Sequence, residues 1–492
     1  MAIHLIGRQK EKTQLRDISE STTARFVGIW GRRRVGKTFL IDTYFQNQPS
    51  LKVVGKYKAS KSDQLDLFRI ALQKAFFDGA SLPKFTSWAH CFEVLVACLK
   101  KHKHENFVVF LDEVPWLAGK STNEFLGALD HSWNTELCHI SHLRFIVCGS
   151  AASWMIKNFS KAKGGLHNRL TDSIHLFPFS LKETEEFFHS RGFSYSRKTV
   201  LESFLCFGGV PYYLSLMRPS ESPVQAVSRL CFQNGQLTNE FETLFEALFE
   251  NGKVHKQWIQ TLAQKNCGLT RIELRQKLKV GAGGFATKIL EELEAAGFIS
   301  RVASFVKMSE IQFRVTDPFV LFHLRWMQKS PGMLLSTQDL DGYWQKEFDS
   351  PEALAWKGYA FENVCFVHAN QILKALGLAH LRTKIGTWRS NAMRTLRGSK
   401  KSQPNLEAQI DLLIDRSDGC VTICEIKNYA KPFKVTAKFA QEIQRKKLVF
   451  QNESKSKKTI LCALISASEI EVNDLLKSNL QNTVQLNDLF LS

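Results

Sequence analysis

Three short apolar runs in the first third of the chain each end at polar or glycine-containing positions. The first covers residues 24–30 (ARFVGIW) and is followed by a glycine-containing loop and the helix-like segment TFLIDTYFQ. The second, 107–111 (FVVFL), ends at an acidic pair, and the third, 143–148 (LRFIVC), ends at a Gly-Ser pair. Strands this apolar are typical of a parallel sheet covered on both faces. With helical patterns between the runs, the segment predicts an α/β fold.

Helical patterns continue to about residue 225, through TEEFFHSRGF and TVLESFLCFGGVPYYL, and predict a helical lid. From 226 to 330 the pattern changes to helix, turn and helix, followed by the strand-like pieces RVASF and QFRVTDPF. This order is typical of a winged helix. Residues 331–350, which begin with Pro331 and Gly332, are the best candidate for a linker.

The remaining residues, 351–492, predict a second, smaller α/β domain. A helical segment (EALAWKGYAFENVCFVH) precedes two strands, QIDLLIDR and CVTICEIKNY, which a Ser-Asp-Gly turn separates. A further helix (TAKFAQEIQRKKLVF) and the strand TILCALIS follow. The chain therefore divides into predicted segments 1–225, 226–330, 331–350 and 351–492.

Composition narrows the function classes. The chain has 492 residues, too many for one hydrophobic core, so about three domains are expected. Its formal charge of +19 makes DNA or RNA a candidate partner, and lysine-rich solvated helix faces are the alternative explanation.

The cysteines and the lengths of the apolar runs indicate the cellular compartment of the protein. Eleven cysteines lie singly and without metal-knuckle spacing, which predicts buried free thiols in a reducing compartment. The N-terminal residues show no signal-peptide pattern, and no apolar run reaches the length of a membrane span. A cytoplasmic protein without a membrane partner is expected.

Residues 31–38 (GRRRVGKT) fit the spacing of a Walker A loop. In such a loop, backbone amides around Gly31 and Gly36 and the N-terminus of the next helix hold phosphate oxygens. Lys37 is expected to reach the β and γ phosphates, and Thr38 to ligate Mg²⁺. A surface glycine turn is the alternative, but the position between a predicted strand and a predicted helix favours a nucleotide site. The motif predicts binding of ATP with Mg²⁺.

Acidic and polar residues at the ends of the next two strands complete this expected site. Asp112 is placed to hold Mg²⁺ and Glu113 to polarise an attacking water, as in a Walker B pair; a polar exit from the sheet is the alternative. Ser150 is a candidate sensor of the γ-phosphate or a helix N-cap. Arg169 is a candidate for stabilising phosphate charge, in its own subunit or across a homo-oligomer contact, or is a surface arginine.

A second group of charged residues follows apolar strands near the C-terminus. Asp411 lies in QIDLLID, and alternation places Glu425 and Lys427 on one face of the next strand. Two carboxylates that hold Mg²⁺ beside a lysine suit metal-assisted phosphodiester cleavage, and Glu362 in the preceding helix is a candidate further ligand. A solvated strand face carrying the same residues is the alternative.

Taken together, these motifs resemble archaeal-type P-loop ATPases of the AAA+ and STAND-like class, whose C-terminal domain is often similar to PD-(D/E)xK (restriction-endonuclease-like) nucleases. The resemblance covers most of the chain and rests on LIGRQKEKTQL, GIWGRRRVGKT, FVVFLDEVPWL, FIVCGSAASWM, HNRLT, FGGVPYYL, FRVTDPF, KGYAFENV, QIDLLID and CEIKNY. It implies a P-loop sheet with a helical lid, a winged helix and a nuclease-like domain. It also implies that Gly7 and Arg8 lie near the adenine or ribose of ATP.

The expected function is an ATP-binding and ATP-hydrolysing protein, in which nucleotide state is coupled to DNA binding and to Mg²⁺-dependent cleavage of nucleic acid. The alternative is an ATP-switched regulator or scaffold without nuclease activity. In the winged helix, Lys288 is the main basic residue of the reading helix. DNA contact and relay of the nucleotide state therefore both stay open for that segment.

Overall fold

A computed structural model describes residues 5–101, 106–160, 169–232, 235–305, 310–328, 342–390 and 407–491. The chain forms two compact units, Met1–Pro178 and Phe179–Ser492. Each unit has its own sheet.

The first unit alternates strands and helices. Its strands are β1 (Arg25–Trp30), β2 (Ser50–Val54), β3 (Phe107–Asp112), β4 (Leu143–Gly149) and β5 (Asp172–His175). Its helices are α1 (Gln9–Ser19), α2 (Lys37–Tyr44), α3 (Lys61–Phe76), α4 (Trp88–Lys101), α5 (Val114–Ala118), α6 (Thr122–Thr135) and α7 (Ala152–Met155).

The five strands form one parallel sheet in the order β2-β3-β4-β1-β5. The apolar runs predict the three central strands β1, β3 and β4, but not β2 or β5. Every residue of β3 and β4 is buried, because helices cover both faces of the central strands. The edge strand β2 instead alternates exposed and buried residues. The predicted α/β fold with a parallel sheet is confirmed. Because the strands are parallel, the carboxyl ends of β1, β3 and β4 all lie at the same end of the sheet.

The second unit begins with a helical region. Its helices are α8 (Leu181–Ser190), α9 (Arg197–Phe207), α10 (Pro211–Ser215), α11 (Pro223–Cys231), α12 (Glu240–Leu248), α13 (Gly252–Ala263), α14 (Arg271–Leu278), α15 (Gly284–Ala295), α16 (Pro318–Phe322), α17 (Tyr343–Glu347), α18 (Pro351–Val367), α19 (Ala369–Ala375), α20 (Ala437–Ser454) and α21 (Asp474–Asn479). The helical region up to about residue 225, predicted as a lid, thus lies in this unit.

The strands of the second unit are more varied in direction. They are β6 (Leu269–Thr270), β7 (Ile299–Ser304), β8 (Glu310–Val315), β9 (Thr383–Arg389), β10 (Gln409–Arg416), β11 (Cys420–Lys427), β12 (Phe433–Lys434), β13 (Thr459–Ser466), β14 (Ile470–Glu471) and β15 (Asn482–Gln485).

Eight of these strands form one mixed sheet in the order β15-β13-β11-β10-β9-β7-β8-β6. Strands β9, β10 and β11 are antiparallel neighbours, and β13 and β15 then add in parallel. The hairpin of β7 and β8 joins this sheet through a short parallel pairing of β7 with β9. A second domain with a mixed sheet is therefore present, and its sheet continues across the predicted boundary between residues 330 and 351.

Part of the predicted linker is folded. Residues 343–347 form α17, and Trp344 is only 1% exposed because it packs against Phe322 and Trp356. Residues 331–341 of the predicted linker lie outside the described residues.

The cysteines of the chain are reduced, and most of them are buried. All eleven cysteines are free, and all but Cys138 and Cys420 are buried, which confirms the prediction of buried thiols. Of the helices in the described ranges, none combines the length and the apolar character that a membrane crossing requires.

A buried histidine joins two helices of the second unit. His368 follows α18 and is 1% exposed; its Nε2 accepts a hydrogen bond of 3.0 Å from the Leu181 N–H at the start of α8. Its Nδ1 lies 2.9 Å from the carbonyl oxygen of Val364 and donates to it, so the ring is neutral. Burial lowers the pKa of His368 to about 4.

We expect His368 to contribute a fall in the free energy of unfolding as the pH is lowered from 7.5 to 5, whereas Asp411, whose pKa is raised to about 7, contributes in the opposite direction. The unfolded imidazole, with its ordinary pKa of 6.5, takes up a proton in this range, whereas the folded ring stays neutral, so protons favour unfolding. The part due to His368 is about 2 kcal/mol at pH 5. Urea unfolding at both pH values measures it.

The matched control is His189→Gln, which replaces an exposed histidine of α8 and should keep the wild-type pH dependence. His368→Gln should lose clearly less stability on acidification. Equal pH dependence in wild type and both variants would show that His368 is not the group responsible.

Candidate functional site

The loop at 31–38 connects the end of β1 to α2, as the Walker A spacing predicts. A Cβ at Gly31 would lie 2.1 Å from the carbonyl oxygen of Leu176, so only glycine fits this close approach of two backbones. Gly36 has φ of 89° and immediately precedes the helix, where the left-handed conformation again favours glycine. The two glycines therefore shape a loop that ends at a helix N-terminus.

Lys37 lies inside this loop. The side chain is 6% exposed, and Nζ donates hydrogen bonds to the carbonyl oxygens of Gly31 (3.0 Å) and Arg32 (2.9 Å). The ammonium group is thus held by backbone oxygens at the centre of the loop, where it is positioned to meet an anion.

The hydroxyl of Thr38 and the carboxylate of Asp112 are in contact at the end of β3. Thr38 Oγ1 donates to Asp112 Oδ2 over 2.5 Å, and Asp112 Oδ1 accepts from the backbone N–H of Glu113 over 2.9 Å. Asp112 is 3% exposed. These two side chains offer the hard oxygen donors that Mg²⁺ prefers, and their chemistry fits that ion.

Glu113 and Ser150 meet across neighbouring strands. Ser150 Oγ donates to Glu113 Oε2 over 2.9 Å, and the Ser150 backbone N–H donates to the same oxygen over 3.1 Å. The next helix begins at Ala152 with Ala151 as its N-cap residue, so Ser150 contacts Glu113 instead of capping the helix. Glu113 has φ of 48°, an unusual value for a non-glycine residue and one that is common at functional sites.

Arg8 joins three segments around the loop. Its guanidinium donates to the carbonyl oxygens of Phe177 (2.6 Å) and Val35 (3.0 Å), and the residue is 5% exposed. Arg169 is exposed, and residues 161–168 before it lie outside the described residues. The roles of Arg8 toward the nucleotide and of Arg169 toward phosphate stay predictions.

The structure adds a histidine to this group. His175 ends β5, the fifth strand of the same parallel sheet. Burial, and then the positive charge of Lys37, lower the pKa of His175. The signal in the sequence was a polar residue at the carboxyl end of the short strand DSIH.

A second cluster of charges lies in the mixed sheet. Glu425 on β11 is 4% exposed, and its two oxygens contact two lysines: Oε1 lies 2.8 Å from Lys427 Nζ and Oε2 lies 2.7 Å from Lys446 Nζ. Burial alone would lower the pKa of Lys427, but the charge of Glu425, its hydrogen bond to Lys427 and the charge of Asp411 together outweigh burial and raise that pKa. The predicted pairing of Glu425 with Lys427 on one strand face is thus present.

Lys446 was not predicted as a member of this cluster, although the pattern of buried positions in its helix indicates it. The buried positions of α20 include Ala440, Ile443, Lys446, Val449 and Phe450, at helical spacing. A lysine in such an apolar stripe requires a buried partner charge, which Glu425 supplies.

Asp411 lies next to Glu425 on the neighbouring strand. Its Oδ2 accepts a hydrogen bond of 3.2 Å from the Ile426 N–H, and the residue is 8% exposed. Burial, and then the charges of Glu425 and Glu362, raise the pKa of Asp411 to about 7. The three predicted carboxylates are therefore near enough to affect one another.

Glu362 is engaged by a second residue that sequence reasoning missed. Arg314 on β8 is 2% exposed, its Nη2 lies 3.4 Å from Glu362 Oε2, and its Cζ lies 4.7 Å from the ring centroid of Phe366. Burial raises the pKa of Glu362, and the charge of Arg314 offsets that rise only in part. In the described parts of the chain, no group of three or more His, Cys, Asp or Glu side chains is arranged to hold a metal ion.

The first unit, which contains the loop at 31–38, is similar to known ATPase domains. Residues 5–217 match the family described as an ATPase domain predominantly from Archaea. An uncharacterised protein of Methanocaldococcus jannaschii, MJECL04, is 23% identical over 395 residues, which cover 78% of this chain and 81% of that protein.

Two solved structures are also similar. The Walker-type ATPase PABY2304 of Pyrococcus abyssi matches with a TM-score of 0.50 and 17% identity, over 65% of this chain and 96% of that chain. The ORC2 protein of Aeropyrum pernix, in ADPNP and ADP complexes, matches with a TM-score of 0.41 and 13% identity, over 68% of this chain and 97% of that chain. Residues 5–217 therefore match an ATPase domain family, and the similarity to PABY2304 shows that the two chains share a fold.

The close approach of Gly31 to Leu176 predicts that a larger residue at position 31 destabilises the protein. Gly31→Ala should lower the free energy of unfolding by about 1–3 kcal/mol, because the added Cβ overlaps a backbone oxygen that cannot rotate away. Thermal and urea unfolding measure the change.

Gly127→Ala is the matched control, since Gly127 lies within α6 with no atom within 4 Å of the added Cβ. It should leave stability unchanged or raise it by up to about 1 kcal/mol. If both variants unfolded like the wild type, the backbone contact between Gly31 and Leu176 would not constrain the loop.

Proposed function

We propose that the ATPase domain of this chain binds ATP with Mg²⁺ at residues 31–38 and hydrolyses it, and that its nucleotide state governs how the second unit acts on nucleic acid. The observation that carries the proposal is the continuous set of contacts from Thr38 to Asp112 and from Glu113 to Ser150 at one edge of the parallel sheet. These contacts bring together residues far apart in sequence around one loop.

Binding of the triphosphate is assigned to the loop and Lys37. The ammonium of Lys37 exchanges its two carbonyl partners for β and γ phosphate oxygens, which are stronger acceptors because they are charged. Thr38 Oγ1 and Asp112 would hold Mg²⁺, which would supply positive charge beside the phosphates. Arg8 keeps the loop in register with the segment after β5 through its two carbonyl contacts.

Hydrolysis is assigned to Glu113. Its carboxylate lies at the carboxyl end of β3, beside Asp112, and Ser150 fixes one of its oxygens with two hydrogen bonds. The other oxygen is available to accept a proton from a water that attacks the γ-phosphate. Ser150, held at the same position, takes the part of a sensor of that phosphate.

Glu113→Gln should keep ATP binding and lower turnover by about 100-fold, because the amide preserves shape and loses the proton acceptor. Steady-state phosphate release and calorimetric titration with ATP measure the two quantities. Lys37→Ala should instead lose ATP binding, since it removes the buried cation of the loop. Wild-type turnover in Glu113→Gln would assign that glutamate a structural role.

For the second unit we propose Mg²⁺-dependent cleavage of nucleic acid. The element order α18, β9, β10, β11, α20, β13, with three antiparallel strands followed by a parallel one, supports the resemblance to PD-(D/E)xK nucleases. Asp411 and Glu425 offer carboxylate oxygens that fit a divalent ion, which would supply Lewis-acid chemistry at a phosphodiester. Lys427 orients the nucleophile, and Lys446 holds the second oxygen of the buried Glu425.

A specific observation favours the alternative of a regulator without cleavage. Both oxygens of Glu425 already contact lysines, and Glu362 contacts Arg314. Two of the three carboxylates are thus paired with cations without a metal, so the same cluster is able to act as a structural ion-pair network.

DNA contact is proposed for the segment from α13 to β8. Two helices, α14 and α15, precede the β7–β8 hairpin, and this arrangement supports the expected winged helix. Arg271, Lys279 and Lys288 are exposed on it, which suits contact with phosphates; relay of the nucleotide state is the alternative role.

Glu425→Gln and Asp411→Asn should each reduce cleavage by at least about 100-fold, because each removes charge from the proposed metal site. The assay uses the full chain with plasmid, linear and single-stranded DNA and with RNA, with Mg²⁺ or Mn²⁺, with and without ATP. ATP turnover should be unchanged, since the P-loop lies in the other unit.

Glu352→Gln, at an exposed position of α18, is the matched control and should cleave as the wild type does. If the wild type cleaves none of the substrates, or if both site variants cleave normally, the regulator becomes the better account.

A further inference from the structure

Two aromatic side chains of the first unit contact each other at the surface beside the P-loop. Tyr57 follows β2 and is 46% exposed, and Trp116 lies in α5 and is partly exposed. Their ring centroids are 5.3 Å apart with an angle of 58° between the planes. We call this pair the aromatic platform.

Cations surround the aromatic platform. The Cζ of Arg33, a P-loop residue, lies 5.9 Å from the ring centroid of Trp116, and Lys58 Nζ lies 5.1 Å from that of Tyr57. Lys56 is exposed one residue before Tyr57. Across the described part of the chain, these three cations form no ion pair.

The acidic groups nearby are already engaged. Asp63 accepts a hydrogen bond from Ser60 Oγ (2.8 Å), and Glu113 accepts from Ser150 Oγ (2.9 Å). The charge of Lys56 acts on Asp63, so the positive charges beside the rings that remain for an anion are those of Arg33 and Lys58.

A buried glutamine fixes the platform in place. Gln64 is 2% exposed; its Nε2 donates to the carbonyl oxygens of Lys56 (2.7 Å) and Trp116 (3.0 Å), and its Oε1 accepts from the Lys56 N–H (3.1 Å). A Cβ at Gly55 would lie 2.5 Å from the carbonyl oxygen of Glu113, so the two segments are in direct backbone contact. Because the loops are joined, little conformational entropy is lost when a ligand binds the rings.

We infer that the aromatic platform, with Arg33 and Lys58, binds single-stranded nucleic acid. Unpaired bases stack on the two rings, and the cations neutralise the adjacent phosphates. A duplex hides the faces of its bases, so the exposed rings favour a single strand. This site lies in the ATPase unit and is separate from the nucleic-acid contacts proposed for the second unit.

The platform is also connected to the proposed catalytic residue. The backbone N–H groups of Trp116 and Leu117 donate to the carbonyl oxygen of Glu113 over 2.9 and 3.1 Å. A strand held on Trp116 is therefore one helical turn from Glu113. If strand binding alters ATP affinity, ATP must alter strand affinity by the same factor.

The test is fluorescence anisotropy of the full chain with a labelled single strand of about 20 nucleotides and a duplex of the same length. Tyr57→Leu and Trp116→Leu should each weaken binding of the single strand about tenfold, because each removes one stacking face. Tyr57→Phe should bind like the wild type, since it keeps the ring. Tyr359→Leu, which replaces a tyrosine that is 47% exposed in the other unit, is the matched control and should also bind normally.

Lys58→Gln adds a second measurement. It should lower the slope of log affinity against log salt by about 0.7, as expected for the loss of one phosphate contact with a single strand. Retention of wild-type affinity by both leucine variants would overturn the stacking site, and so would equal weakening of single strand and duplex. Loss of ATP affinity in Tyr57→Leu would overturn it as well, because the ring would then belong to the nucleotide site.

These outcomes are distinct from those that test the proposed function. Failure of the platform leaves the dependence of ATP turnover on Glu113 unchanged, and it also leaves unchanged the dependence of cleavage on Asp411 and Glu425 in the second unit. Tyr57 lies in an exposed loop, so the inference stays testable even if Trp116→Leu folds poorly.

Discussion

Complete burial of the central parallel strands is the constraint on which the proposed nucleotide site depends. Strands β3 and β4 have no exposed residue along their length, so polar side chains must appear where the strands end. Because the strands are parallel, these ends coincide at one edge of the sheet. Asp112, Glu113 and Ser150 therefore meet there, next to the loop that carries Lys37 and Thr38.

Close backbone contacts fix the positions of the loops at this end of the sheet. The loop touches the segment after β5 at Gly31, and Arg8 adds hydrogen bonds from the N-terminal side. The loop after β2 touches α5 at Gly55, where Gln64 supplies three further hydrogen bonds. The P-loop, the acidic pair and the aromatic platform are thus held by neighbouring parts of one rigid edge.

In the second unit, the pairing of buried carboxylates with cations determines the arrangement of the charged cluster. Glu425, Asp411 and Glu362 are removed from water, and each would be costly to ionise alone. Lys427, Lys446 and Arg314 offset that cost from three different elements of the mixed sheet and its helix. The same cluster could therefore bind a divalent ion in place of one of these cations, or it could remain a structural ion-pair network. Only the first arrangement would allow metal-dependent cleavage.

Local patterns in the sequence were sufficient to predict the parallel sheet, the Walker A loop, the acidic pair after β3 and the pairing of Glu425 with Lys427, because each depends on spacing within one element or one turn. The contacts of Ser150 with Glu113, Lys446 with Glu425 and Arg314 with Glu362 join segments 37, 21 and 48 residues apart. They depend on how helices and strands pack, and no local periodicity encodes that packing. For the same reason, the continuation of the mixed sheet from the β7–β8 hairpin into β9, and the meeting of Tyr57 with Trp116, were decided only by the tertiary structure.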